Sequence, residues 1–169
     1  MAAGATYEPI ATTTLGSAAS NITFSSIPQT YTDLVLILSV SSLSSNADII
    51  MELNSDTSTN YSWTAIYANG STTSSARVTN YANFDLNYWS NNSSTYPTFY
   101  TVDFFSYTSS RYKTILTKSS NDFNGSGMVY RNVGLWRSTS AINTIKLYPQ
   151  SPQTFSTGTI ATIYGITAA

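Results

Sequence analysis

Short runs of alternating apolar and polar residues recur along the chain, separated by clusters of Ser, Asn, Gly and Pro. Alternation with a period of two is typical of a β-strand with one buried face, and these clusters favour turns. Residues of high helix propensity are sparse along the chain. We predict strands at residues 6–14, 21–25, 32–40, 48–54, 61–67, 99–106, 112–118, 128–136, 142–148 and 157–166. Regular short strands with turns between them predict an all-β, antiparallel sandwich or barrel.

Three of these strands carry further information. Residues 34–40 are apolar on both faces, which predicts a central strand, or one whose outer face is covered by another subunit or by loops of the chain. Residues 142–148 and 157–166 are predicted to lie inside a sheet. In the second of them, one face carries Ile160, Thr162, Tyr164 and Ile166, and the other carries Thr159, Ala161, Ile163 and Gly165.

The segment 68–97 is too long for a simple hairpin and contains Tyr81, Phe84, Tyr88 and Trp89. Long connections in compact domains tend to be functional or disordered, and four aromatic rings argue against disorder. We predict an excursion that packs on the sandwich or on a neighbouring molecule. The spacing of residues 81, 84 and 88 also suits one face of a short helix. The alternative is that these rings complete the core.

The length of 169 residues and mass of 18.3 kDa fit one domain, and such a domain buries about 70% of its unfolded surface. We divide the chain into 1–14, an N-terminal arm or first strand, and 15–169, a sandwich domain with a long insertion at 68–97. The 13 Tyr, 7 Phe and 3 Trp supply a large apolar area for this core, so it needs no disulfide.

Composition limits the chemistry. The chain has no Cys and no His, so the strongest side-chain nucleophile and the only side chain that ordinarily titrates near neutrality are both missing. The seven Lys and Arg are scattered and the net charge is −1, which disfavours nucleic-acid binding. No apolar run has the length of a membrane span. Residues 1–20 lack the pattern of a secretion signal, so we expect synthesis in the cytoplasm.

Carboxylates remain as candidate catalytic groups, and a glycosidase would need two of them about 5–9 Å apart. Asp48 and Glu52 share a predicted strand at even spacing, about 13 Å apart by strand rise, which is too far. Asp103 alternates with Val102 and Phe104, and we interpret it as a structural carboxylate.

Two other patterns are weaker. The turn at residues 54–60 contains oxygen ligands for calcium, but it lacks the acidic density of a recognised calcium loop. Lys113 with Ser110 or Ser119 suggests a Ser/Lys dyad, yet nothing places these groups beside an oxyanion hole. Lys113 reads better as a solvent-edge strand residue that discourages aggregation. We therefore predict no catalytic, cofactor or metal site, and no enzyme.

The chain resembles small virion proteins of tailed bacteriophages, especially those that infect aquatic bacteria such as cyanobacteria. The matching pieces are TYEPIATTTLGSAASNITFSSIPQTYTDLVLILSV at residues 6–40, YKTILTKSS at 112–120 and AINTIKLYPQSPQTFSTGTIATIYGI at 141–166. They are strand and turn patterns without a catalytic signature, and they leave 68–97 unmatched.

The resemblance implies a jelly-roll-like β-sandwich on the outer surface of a phage particle, often as a homotrimer. It implies either a capsid decoration (cement) protein bound to the major capsid protein or another virion protein, or a tail-fibre domain that attaches to host glycans. A tail fibre usually adds a shaft and an anchor, which this sequence lacks, so we favour decoration. The candidate contact residues are Tyr7, Pro9, Ile10, Tyr81, Phe84, Tyr88 and Trp89.

Overall fold

Two antiparallel sheets pack face to face around one apolar core. The computed structural model describes residues 6–87 and 92–167, and no helix in these ranges is long and apolar enough to cross a membrane. The strands of these ranges are β1 (Tyr7–Thr14), β2 (Ile22–Phe24), β3 (Asp33–Val40), β4 (Ile49–Leu53), β5 (Tyr61–Ala68), β6 (Thr73–Tyr81), β7 (Phe84–Asp85), β8 (Thr98–Phe104), β9 (Lys113–Asn121), β10 (Met128–Trp136), β11 (Ile145–Pro149) and β12 (Ile160–Ile166).

The large sheet has eight strands in the order β1-β12-β3-β8-β9-β10-β5-β6, and the small sheet has four in the order β2-β11-β4-β7. All neighbouring strands are antiparallel. The chain alternates between the sheets from β1 to β5 and crosses again at β7, β8, β11 and β12. This path is jelly-roll-like, and the predicted antiparallel β-sandwich is confirmed.

The core lies between the sheets and is built from alternate positions of each strand. Leu34, Leu36 and Leu38 of β3 are fully buried, as are Ile145 and Leu147 of β11. Burial of apolar area at about 25 cal/mol per Å² is the main favourable term in such a core. The alternation read from the sequence therefore corresponds to the inner and outer faces of real strands.

The three strands singled out in the sequence lie inside their sheets. β11 runs between β2 and β4, β12 between β1 and β3, and β3 between β12 and β8. The face of β12 with Ala161 and Ile163 is buried, whereas Ile160 on the other face is 40% exposed. On the outer face of β3, Val35 is buried but Ile37 is 43% exposed. Part of that outer face is thus uncovered in the monomer.

The prediction of a long excursion at 68–97 is wrong for its first half. Residues 73–81 form β6, which pairs with β5 as a hairpin at the edge of the large sheet. Residues 84–85 form β7 at the edge of the small sheet, so no helix contains residues 81 and 84. β6 is polar and exposed along most of its length, and an edge strand of this kind lacks the apolar alternation that would have marked it in the sequence.

The interpretation of Lys113 as a solvent-edge residue is also wrong. Lys113 begins β9, an interior strand between β8 and β10, and its relative exposure is 0%. Its ammonium group donates to the backbone carbonyls of Ser109 at 2.7 Å and Arg111 at 2.5 Å. Desolvation lowers the pKa of Lys113 from its ordinary value. The lysine thus holds the β8–β9 connection in place instead of repelling an edge.

Candidate binding surface

The N-terminal candidates lie on edge strand β1. Tyr7 is 57% exposed and packs edge-on against Tyr164 of β12, with ring centroids 6.5 Å apart. Pro9 is exposed and lies at an irregularity in the pairing of β1 with β12. Ile10 is partly buried against the core. Tyr7 and Pro9 are therefore open to a partner, and their role as contacts stays a prediction.

The aromatic candidates at residues 81–89 differ from one another in their exposure. Tyr81, at the end of β6, is 42% exposed and stands edge-on to Trp63 at 5.2 Å between ring centroids. Phe84 has an exposure of 0% and lies 5.6 Å from the Trp63 ring. Phe84 therefore completes the core, which corrects its inclusion among contact residues. Tyr88 and Trp89 lie outside the described residues.

The carboxylates that sequence reasoning left as catalytic candidates are engaged in the fold. Glu52 accepts a hydrogen bond from the Tyr148 hydroxyl at 2.6 Å and lies 3.5 Å from the Lys146 ammonium. Asp103 lies 3.4 Å from the Lys118 ammonium on the outer side of the large sheet, which agrees with its interpretation as a structural group. These pairs tie neighbouring strands together.

Asp85 is the most deeply buried of the acids, with a relative exposure of 3%. Its carboxylate accepts the backbone N–H of Asn87 at 3.0 Å. Burial, and then the charge of nearby Asp48, raise the pKa of Asp85 well above its usual range. A polysaccharide chain cannot reach a carboxylate covered in this way, so Asp85 is a group of the core.

Replacement of Asp85 by Asn should stabilise the protein at neutral pH. Because the folded-state pKa is raised, the contribution of Asp85 to stability is fully present below its unfolded pKa and is lost as the pH rises through the folded pKa. Asn keeps the acceptor for Asn87 without the charge. We expect the free energy of unfolding of D85N to exceed that of wild type by about 1–3 kcal/mol at pH 7, and the gain to vanish near pH 4.

Urea unfolding between pH 4 and pH 8 measures this difference, with D122N in an exposed loop as the matched control. A gain that does not depend on pH would contradict a titrating, buried Asp85. D122N should show neither the gain nor its pH dependence.

The turn at residues 54–60, considered above for calcium, is closed by its own hydrogen bonds. One carboxylate oxygen of Asp56 accepts the Ser58 N–H at 2.9 Å, and the other accepts from the Asn60 amide at 2.9 Å and the Trp136 indole at 2.8 Å. Burial acts to raise the pKa of Asp56, but these hydrogen bonds outweigh it and lower the pKa. Within the described ranges no three acidic side chains come together as metal ligands.

The outer face of the large sheet, which points away from the small sheet, is unusually apolar. An antiparallel sheet with one face in water normally alternates apolar-in and polar-out. Here six large apolar side chains on the outer face are at least 40% exposed. They are Ile37, Ile66, Phe99, Val129, Val133 and Ile160. Sequence reasoning marked only the β3 part of this surface, because the rest appears only when the strands are placed side by side.

The charged residues of the outer face are ordered by sign across the sheet. Reading from β3 to β6, they are Asp33 on β3, Asp103 on β8, Lys118 on β9, Arg131 on β10 and Arg77 on β6. Acids thus occupy one half of the face and bases the other, with the Asp103–Lys118 ion pair at the boundary. Lys118 lies directly opposite Arg131 in the strand pairing, and like charges in this position are destabilising.

An open groove of about 690 Å³ lies where the outer face meets the loops at one end of the sheet. Its apolar lining includes Phe99, Val129 and Met128, and its polar lining includes Asn121 and Asp122. Ligand sites commonly have volumes of 300–1,000 Å³ with a mainly apolar lining. The groove therefore has the size and the mixed lining of a small binding site.

The solved structure of galectin LEC-6 from Caenorhabditis elegans is similar to this chain, with a TM-score of 0.38 and 11% sequence identity. The similarity covers 93% of this chain and 96% of the galectin. No protein-family model matches the chain, and comparison with curated proteins gives no match. Similarity at this level supports no functional assignment.

Proposed function

We propose that the protein is a non-enzymatic structural component of a bacteriophage particle, a decoration protein that binds major capsid subunits and stabilises the head. The observation that carries this proposal is the apolar outer face of the large sheet, with its six exposed aliphatic and aromatic side chains. Several large apolar side chains exposed on one face of a sheet indicate a site of protein association. The phage resemblance of the strand and turn segments supplies the setting.

The arrangement of the acids supports association over chemistry. Asp85 is covered, Glu52 and Asp103 are paired with lysines, and Asp56 closes a turn. A decoration protein needs no reactive group, because its binding free energy alone opposes the separation of the subunits that it bridges. Copies joined to one another gain further from high effective concentration at the shell. The homotrimer implied by the resemblance is one such arrangement and stays a prediction.

The number of copies in the particle tests this function. We expect purified virions of the encoding phage to contain hundreds of copies, measured by quantitative gel staining with the major capsid protein as the internal standard. Antibody labelling should place the protein on the head. A chain that is absent from washed particles contradicts the proposal.

The groove at Phe99 favours a second function, attachment to host glycans by a tail component. Carbohydrate can stack on an exposed ring while neighbouring amide and carboxylate groups hydrogen-bond to its hydroxyls. Phe99 is 52% exposed beside Asn121 and Asp122. A count of a few dozen copies or fewer, with labelling at the tail, would support this function in place of decoration.

A further inference from the structure

We propose that the outer face of the large sheet binds a second copy of the chain, face to face, about a two-fold axis parallel to the strands between β8 and β9. The inference deepens the proposed function, on which it rests, by assigning this face to the contact between copies and leaving the edges of the sandwich and the loops to contact the capsid subunits. It places Asp33 and Asp103 of each copy over the half of its partner that carries the three bases Lys118, Arg131 and Arg77.

The charge order across the sheet selects this axis. Rotation about it lays β3 of one copy over β10 of the other, and β8 over β9, because these strands are equidistant from the centre of the eight-strand order. The acidic half of each face then meets the basic half of its partner, twice in the dimer. A two-fold axis across the strands would instead set acids against acids and bases against bases, which costs several kcal/mol.

The two arginines of this face lack charged partners among the described residues of the monomer. Neither the Arg77 nor the Arg131 guanidinium group makes a hydrogen bond or an ion pair with any described residue. Arg131 lies between Lys118 and Ile66 in the cross-strand pairing, so its nearest charged neighbour on the sheet has the same sign. In the dimer β10 lies over β3 of the second copy, next to β8, so Asp33 and Asp103 of that copy would compensate the charge of Arg131, and Arg77 would add to the positive charge of the same half. Arginine among apolar side chains is also enriched at protein interfaces.

The size of the face suits a stable dimer. Eight strands about 4.8 Å apart and about seven residues long give a plan area of roughly 800 Å². A standard interface buries about 800 Å² on each partner. Two such sheets pack about 10 Å apart with strands within about 30° of one another. Ile37, Val133 and Phe99 would fill the space between them, which leaves the free hydrogen-bonding edge of β1 and the loops for the shell.

Sedimentation velocity on the purified chain tests the inference. We expect a species of twice 18.3 kDa at micromolar concentration. R77E/R131E should raise the dimer dissociation constant at least about tenfold, because acids then meet acids. D33K/D103K should do the same because bases meet bases, whereas R111E, which changes an exposed charge in the β8–β9 loop outside the strands, should leave the dimer unchanged.

An equimolar mixture of R77E/R131E and D33K/D103K should restore a dimer, since one face is then acidic and the other basic. Thermal unfolding checks that both variants fold, and D103K alone replaces the second if loss of the Asp33 contact with the Ser106 N–H unfolds it. A wild-type monomer or trimer, or a dimer that R77E/R131E leaves intact, overturns the inference. If the chain is a monomer but is abundant on phage heads, the dimer is wrong and the proposed function stands. If the chain is a dimer but is absent from particles, the dimer stands and the proposed function is wrong.

Discussion

Replacement of Gly134 by Ala is expected to lower the free energy of unfolding by about 3 kcal/mol. Gly134 lies on the inner side of β10, and a Cβ added there would come within 1.8 Å of Cε2 of Phe84. The Phe84 ring is fully buried against Trp63, so it cannot move out into solvent. The added methyl group must therefore push β7 away from the large sheet.

Urea unfolding measures the loss, and Gly16→Ala is the matched control because nothing lies within 4 Å of a Cβ at that position. The double variant G134A/F84L should recover part of the lost stability, since the smaller side chain vacates the space. An equal cost of G134A in the wild-type and F84L backgrounds would show that the contact is not responsible. The experiment also separates a core role for Phe84 from a contact role, because the loss appears in the isolated protein.

Most strands of the sandwich were accessible to sequence reasoning because one face of each is buried. In β12, for example, Ala161 and Ile163 point inward and Ile160 outward, and the period of two is visible without any knowledge of the neighbours. β6 was not predicted because both of its faces are largely exposed at the sheet edge, so it shows no apolar alternation. β7 was not predicted because two residues are too few to show a period.

The candidate surface was harder to predict because it depends on the pairing order of the strands. Arg77, Lys118 and Arg131 are far apart in the sequence, and only the order β9-β10-β5-β6 brings them to one half of a face. The burial of Lys113 was also beyond sequence reasoning. A charged residue in a strand usually indicates exposure. Lys113 is buried because backbone carbonyls of the β8–β9 loop accept its hydrogen bonds, and the sequence pattern does not reveal that loop conformation.

Replacement of Trp136 by Ala is expected to cost about 3–5 kcal/mol of stability. Trp136 ends β10, is 1% exposed and stacks on the Tyr61 ring at 6.5 Å between centroids. Its indole N–H also donates to Asp56 at 2.8 Å, which fixes the turn at residues 54–60. The substitution therefore opens a cavity in the core and removes a hydrogen bond from a carboxylate.

Trp136→Phe separates these two effects. Phe retains much of the ring volume but has no N–H, so this variant should lose only about 1–3 kcal/mol. Both variants remove the indole hydrogen bond, which is one of the bonds that lower the pKa of Asp56. A carboxylate with a lowered pKa stabilises the fold above its unfolded pKa, and this stabilisation is lost as the pH falls through the folded pKa. The cost of W136F should accordingly shrink in acid, whereas the cavity cost of W136A should remain. Thermal unfolding of the two variants at pH 3 and pH 7 measures both costs.

Calcium tests the turn at residues 54–60 in the same assay. Because Asp56 already accepts three hydrogen bonds, millimolar calcium should not raise the melting temperature of the wild type. A rise of several degrees would show that the turn is a metal site.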